Sequence, residues 1–229
     1  MSAPTPAVEA RDIHLSYGQT PALRGVSLAC WPGESVALMG PSGSGKSSLL
    51  HCLAGVLKPD SGSATAAGAR LDAMSERERS QHRLSQIGMV FQFGNLIPEL
   101  TLLENVMLPL QLLGERATAA RPRALTLLDR LQIADVSGRR AGAVSGGQAQ
   151  RAAVARALVH TPPVVFADEP TGALDTVSAD TVLDSLLGLA REIGSTVLLV
   201  THENRIAAHC DRLLSMRDGA MAPQPTVTG

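Results

Sequence analysis

Apolar residues gather in three short unbroken runs, Val36-Ala37-Leu38-Met39, Val164-Val165-Phe166-Ala167 and Val197-Leu198-Leu199-Val200. Runs without alternation fit strands covered on both faces, as in a parallel sheet. Each gives way at once to polar residues capable of chemistry: Gly40 and a glycine-rich loop, Asp168-Glu169, and Thr201-His202. Helix-compatible spacing follows each, over 46–54, 178–193 and 204–209. Repeated strand–loop–helix units predict an α/β fold with a mainly parallel sheet, in which ligands collect beyond the carboxyl ends of the strands. Three segments far apart in sequence are therefore expected to converge on one site.

Upstream, residues 8–15 and 22–30 alternate apolar and polar positions, with Tyr17-Gly18 and Pro32-Gly33 as turns, and predict an antiparallel β flank. Between 94 and 159 the pattern becomes helical, over 102–113, 121–131 and 148–159. The expected organisation is one domain, with an α/β core made of 1–93 and 160–229 and an inserted α-helical lobe over 94–159. Residues 222–229, rich in Pro and Thr, are expected to fray.

The loop after the first run reads Gly40-Pro41-Ser42-Gly43-Ser44-Gly45-Lys46-Ser47, the G-x-x-x-x-G-K-[ST] pattern in full, with Ser48 beside it. Its glycines let backbone N–H groups turn inward around phosphates at a helix N-terminus. Lys46 is expected to reach the β and γ phosphates of ATP, and Ser47 to offer its hydroxyl to Mg²⁺. Asp168 and Glu169 end an apolar strand, where uncompensated carboxylates are costly, so a cation is expected nearby. Asp168 is assigned to Mg²⁺, mainly through its water, and Glu169 to polarising the water that attacks the γ-phosphate. His202 can bond the γ-phosphate or orient that water and Glu169. Gln92, closing the apolar segment Val90-Phe91, can meet Mg²⁺ or the water through its amide, with Phe91 and Phe93 packing on either side. Tyr17, the only tyrosine, is a candidate platform for adenine or an ordinary packing residue.

A second glycine-rich element, Ser145-Gly146-Gly147-Gln148, has no obvious job in a chain that already holds a complete phosphate loop. That surplus suggests a site shared between two molecules. A formal net charge of −1 argues against a dominant electrostatic attraction to nucleic acid or anionic lipid and leaves room only for a local basic patch. The three cysteines, Cys30, Cys52 and Cys210, form no C-x-x-C pair and are expected to be reduced core residues. Residues 1–6 carry neither a basic start nor an apolar run, so no export signal is expected. The apolar stretch 100–114 contains Glu104, Asn105, Pro109 and Gln111 and falls short of the ~20 apolar residues of a membrane span.

Together these residues resemble the ATP-binding-cassette (ABC) ATPases over nearly the whole chain. The likeness rests on Gly40 to Ser47, Gln92, the signature Val144-Ser145-Gly146-Gly147-Gln148, the strand ending Asp168-Glu169, the loop Ala173-Leu174-Asp175, and His202. It implies a P-loop NTPase (RecA-like) core and a head-to-tail homodimer with two ATPs, each held between one subunit's phosphate loop and the other's signature. It also implies that Tyr17 stacks on adenine, that Asp175 couples the two sites, and that integral membrane permease subunits hold the protein at the cytoplasmic face of the membrane. Residues 95–110 are similar to the lipoprotein-release and macrolide-export branch, whose substrates need not cross the bilayer.

Departures from the family pattern are Val144 for the usual leucine, with Ala141 and Ala143 just before it. A lost buried methylene costs about 1 kcal/mol, and the expectation is a less rigid signature loop. Two other readings share the motifs: a cassette regulating cell division through a non-transporting membrane partner, and a soluble cassette working on DNA or ribosomes. The latter is disfavoured because Ser145 follows Lys46 by only 99 positions, with no heptad repeat between them, and because the chain carries one cassette.

Overall fold

The computed structural model of the chain describes residues 5–222. The chain opens with a long hairpin, β1 (Val8–Tyr17) and β2 (Thr20–Cys30), and continues into β3 (Ser35–Met39) and helix α1 (Lys46–Leu53). A small excursion follows: β4 (Ser61–Ala66), β5 (Ala69–Arg70) and α2 (Glu76–Gln86), before β6 (Ile87–Phe91). Three helices come next, α3 (Leu102–Leu112), α4 (Ala117–Arg130) and α5 (Gly146–Leu158). The chain then returns through β7 (Val164–Asp168), α6 (Thr176–Glu192), β8 (Thr196–Val200), α7 (Asn204–Ala207), β9 (Arg212–Arg217) and β10 (Ala220–Met221).

Two sheets result. The antiparallel flank has the order β2-β1-β4-β5, and the main sheet β10-β9-β3-β8-β7-β6, parallel except at the β10 edge. Both expected strands of the flank and all three expected buried strands are present. Side chains alternate across the main sheet, so its strands feed two cores. Val36, Leu38, Phe166, Leu198 and Val200 pack with α1 and the flank, whereas Val165, Ala167, Val197 and Leu199 pack with α3 to α6. The helices of 94–159 thus share one continuous apolar cluster with the sheet.

Several elements escaped the apolar pattern for identifiable reasons. Helix α2 is almost wholly polar and rests on a capping box between Ser75 and Glu78 and on ion pairs from Glu76 to Arg79 and Arg83. The Arg79 hydrogen bond, then that of Arg83, brings the Glu76 carboxyl down to about 2. Strand β6 is interrupted by Gly88, where a Cβ would lie 2.4 Å from the Ala157 carbonyl of α5. That close crossing demands glycine at the cost of a recognisable strand signature. Cys30 and Cys52 are core residues as expected, with burial pushing both thiols up to about 12, while Cys210 is only partly buried. Of the expected fraying tail, residues 223–229 lie outside the described residues.

Helix α3 begins with a second capping box, Thr101 with Glu104. Next to it the buried amide of Asn105 accepts from the Ile97 N–H at 2.8 Å and donates to the Ile97 and Thr101 carbonyls at 3.0 Å each. One side chain thereby fixes the chain's approach to α3. Replacing it by leucine leaves the Ile97 N–H without its acceptor, at about 1–3 kcal/mol, whereas the Ile97 and Thr101 carbonyls keep the N–H groups of Leu100 and Asn105. Asn105→Leu is expected to lower the unfolding free energy by about 1–3 kcal/mol, measured by urea unfolding.

Candidate functional site

Parallel register brings the strand ends abreast. Leu38 and Asp168 both pair with Val200, and Phe91 pairs with Asp168. The residues that follow, Gly40, Glu169, His202 and Gln92, therefore leave one edge of the sheet together.

The phosphate loop is folded tightly against its own scaffold. A Cβ on Gly40 would meet the Met216 carbonyl at 2.2 Å, and one on Gly45, at φ +97°, the Ala22 carbonyl at 2.5 Å. These positions accept no side chain. Lys46 is buried, and its ammonium donates to the Gly40 and Pro41 carbonyls at 2.8 and 2.9 Å. A cavity of about 370 Å³ lies over the loop, lined by Ser42, Gly43, Gly45, Lys46, Ser47 and Ser48 and bounded by Tyr17 and Glu169. That volume suits a small-molecule site. Tyr17 is 55% exposed at its mouth, with its hydroxyl 3.3 Å from Ser48 Oγ.

A second cavity of about 350 Å³ adjoins it, sharing Ser47 and Glu169 and adding His51, Gln92 and Asp168. Ser47 Oγ donates to Asp168 Oδ1 at 3.1 Å. Burial raises the Asp168 pKa above its ordinary value of 3.8, and the Ser47 hydrogen bond offsets part of that. A half-buried carboxylate whose hydrogen-bond partner is a neutral hydroxyl fits a hard divalent cation, which prefers oxygen ligands. Among the described residues no group of three His, Cys, Asp or Glu side chains could hold a metal, so a cation here needs phosphate and water oxygens to complete its shell.

Glu169 sits at φ +46°, a left-handed conformation costly for a non-glycine residue. Its N–H donates to the Val200 carbonyl at 3.0 Å, tying the strained turn to β8. His202 Nδ1 lies 2.8 Å from Glu169 Oε2. A Cβ on Gly172 would be 2.9 Å from Gln92 Nε2 and 3.3 Å from Glu169 Oε2, so Gln92 and Glu169 approach the same spot over a residue without a side chain. Phe93, expected to pack, is instead 73% exposed, because the turn through Gly94 at φ +67° and Asn95 at φ +46° swings it outward.

The signature lines neither cavity. It starts α5 on an exposed edge as a third capping box: Ser145 Oγ accepts from the Gln148 N–H at 3.3 Å, and Gln148 Oε1 accepts from the Ser145 N–H at 3.0 Å. The N–H groups of Gly146 and Gly147, the first two of the helix, have no acceptor among the described residues. Ala141–Ala143 forms one 3-10 turn, with the Ala141 N–H donating to the Leu100 carbonyl at 2.9 Å, and Val144 packs partly against the helical cluster. Asp175 caps α6, accepting from the Ser178 N–H at 3.0 Å and its hydroxyl at 2.7 Å, and the backbone bond from Ser178 leads in holding its carboxyl below the usual range.

His51, Gln150, Arg156 and Gly172 were not singled out by sequence. His51 is one helical turn beyond Ser47, a spacing that could have flagged it; Gln150 and Arg156 bond backbone carbonyls of a distant loop, and Gly172 lies beneath the side chains of Gln92 and Glu169, which leaves no local signal. The raised Asp168 pKa has a stability consequence. Its burial penalty is fully present above the raised folded value and vanishes as pH falls toward 3.8. Asp168→Asn is therefore expected to raise the urea midpoint at pH 7.5, by a margin that narrows at pH 4.5, while removing Mg²⁺-dependent nucleotide affinity in fluorescence titrations.

Comparison with known proteins agrees with this geometry. The family model described as ABC transporter matches residues 23–172. The lipoprotein-releasing system ATP-binding protein LolD of Legionella pneumophila (strain Paris) is 42% identical over 211 residues, covering 92% of this chain and 93% of its own. An uncharacterized ABC transporter ATP-binding protein of Mycobacterium tuberculosis is 46% identical over 192 residues, covering 84% of this chain and 77% of its own. Among solved structures, the dimeric post-hydrolysis state of the ATP-binding cassette MJ0796 bound to ADP and Pi superposes with a TM-score of 0.88 at 36% identity, covering 97% of this chain and 99% of that one. With its phosphate loop, acidic strand end and exposed signature on one such fold, the chain belongs to the ABC transporter family.

Proposed function

We propose that two copies of this ATPase subunit close head to tail around two ATPs and thereby drive a membrane permease that extracts or exports a lipoprotein, macrolide or peptide. The observation that carries the dimer is the signature's position: it lines neither cavity at the phosphate loop of its own chain, and the N–H groups of Gly146 and Gly147 at the start of α5 have no acceptor among the described residues. An opposing γ-phosphate supplies the acceptor they lack. The dimeric cassette bound to ADP and Pi supports the same reading, and the relatives named LolD support the lipoprotein branch.

In this reading Tyr17 stacks on adenine, the loop Gly40 to Ser48 holds the phosphates, and Lys46 leaves the carbonyls of Gly40 and Pro41 for the β and γ oxygens. Mg²⁺, bound through Ser47, Asp168 and Gln92, supplies charge neutralisation at the phosphate oxygens. Glu169 accepts the hydrogen bond of the attacking water, and His202 fixes that carboxylate at 2.8 Å. The strained turn at Glu169 is in keeping with a side chain held ready rather than recruited on binding. Asp175 couples the two sites across the interface. The core of 1–93 and 160–229 carries the nucleotide, and the lobe of 94–159 carries the signature and meets the permease.

No helix of the described residues is long and apolar enough to cross a membrane, in keeping with peripheral attachment through permease subunits at the cytoplasmic face. Exposed Phe93 and Leu112 offer apolar contacts for such a partner.

Glu169→Gln is expected to bind MgATP but hydrolyse it at least about a hundredfold more slowly, doubling the 23.9 kDa mass in light scattering. Lys46→Ala should stay monomeric under the same conditions. A Glu169→Gln protein that remains monomeric at saturating MgATP would falsify the shared-site reading.

A further inference from the structure

We infer that Gln150 and Arg156 form a latch that makes the signature helix and the Gln92 loop move as one body, so that a displacement at the γ-phosphate reaches the signature without passing through the rest of the lobe. This rests on the proposed function, in which Gln92 touches the nucleotide's surroundings and the signature contacts the opposing subunit.

Both residues project from α5, the helix that the signature itself begins. Gln150 is 2% exposed, and its Nε2 donates to the Phe91 carbonyl at 2.8 Å. That carbonyl also accepts the Gly94 N–H at 3.0 Å, so both its lone pairs are used. Arg156 forks onto the next two carbonyls, with Nη2 donating to Gly94 at 2.7 Å and Nη1 to Asn95 at 2.8 Å. Consecutive positive φ values at Gly94 and Asn95 accompany the presentation of both carbonyls to one guanidinium. No carboxylate pairs with Arg156 among the described residues. Its hydrogen bonds are to backbone alone.

Gln92 and Phe93 are thus bracketed: the residue before them and the two after are bolted to α5, while the Gln92 side chain remains directed toward Glu169 and Gly172. Contact between loop and helix is also close. A Cβ on Gly94 would lie 3.3 Å from Ala153 Cβ and 3.3 Å from Gln150 Oε1, leaving little slack for the loop to slide over the helix. Three side chain-to-backbone bonds of 2.7–2.8 Å in a partly buried setting, two of them charge-assisted, resist separation more than solvent-exposed contacts do. A shift of the Gln92 backbone toward the nucleotide therefore pulls the amino end of α5, and with it Ser145 to Gly147, in the same direction. Gln150 and Arg156 are positioning residues: neither lines the two cavities around the nucleotide loop.

The test is hydrogen exchange by mass spectrometry on the full chain carrying Glu169→Gln, with and without MgATP, followed over segments 91–97 and 144–150. The parent should gain protection in both. Adding Gln150→Leu, which keeps the volume and removes the donor, or Arg156→Lys, which keeps the charge and loses the fork, should leave the response at 91–97 intact. The same variants should reduce the nucleotide-induced protection of 144–150 about tenfold, the size of an ordinary coupling between sites. Asn105→Leu, which frees the Ile97 amide but leaves the bonds of Gln150 and Arg156 in place, should keep the MgATP-dependent change in both segments. The latch is overturned if the two variants respond like the parent, or if Asn105→Leu uncouples the segments equally. A parent silent at 91–97 overturns the underlying assignment of Gln92 and the latch with it, an outcome distinguishable from the other two.

Discussion

The parallel hydrogen-bond register of the main sheet is the constraint on which everything else hangs. With Leu38, Val200, Asp168 and Phe91 abreast, four loops from positions 40, 92, 169 and 202 are delivered to one edge without any of them having to reach. A slip of a single residue in a parallel pair would turn each side chain to the opposite face and separate Asp168 from Ser47. The two apolar cores guard that register from both sides, since Phe166 belongs to one and its neighbours Val165 and Ala167 to the other.

What stands on this edge is locally unfavourable. Asp168 is a carboxylate pushed toward neutrality by burial, Glu169 holds a left-handed backbone conformation, and Lys46 is a buried ammonium satisfied by the carbonyls of its own loop. In the proposed function each is relieved by a phosphorylated ligand with a cation. Binding energy and folding strain are therefore two views of the same residues. The ion pair of Arg212 with Glu34, at 2.6 Å, does a different job, fastening β9 beside β3 at the opposite, solvent-facing end of the sheet.

The lobe is built by another device. Its helices start at capping boxes, Thr101 with Glu104 and Ser145 with Gln148. Asn105 sets the approach to one, and Gln150 and Arg156 fasten the loop of Gln92 to the other. At the signature the cap has a double consequence: it ends the chain's irregular run through Ala141–Ala143, and it spends the acceptor side of Ser145 while sparing the first helical N–H groups. The turn before Val144 is held by backbone bonds from the N–H groups of Ala141 and Ala143, and Val144 itself packs partly against the helical cluster.

Local composition determined much of this protein. Three apolar quartets announced the buried strands, the glycine-rich loop announced its phosphate chemistry, and Asp168, Glu169 and His202 were legible because each directly follows such a strand. The surplus glycine pair at Gly146-Gly147 raised the expectation of a site shared between two chains. Helix α2, strand β6 and the latch stayed hidden, and Phe93 was assigned to the wrong environment. Polar helices held by caps and ion pairs have no apolar period, and Gly88 breaks the signature of β6 to let α5 pass. Gln150 and Arg156 act on carbonyls about sixty positions away, whose location only the folded chain defines. Strand identity and loop chemistry are properties of neighbours in sequence. Which carbonyl meets which guanidinium, and how deeply Asp168 is buried, are properties of packing, and packing alone decided them.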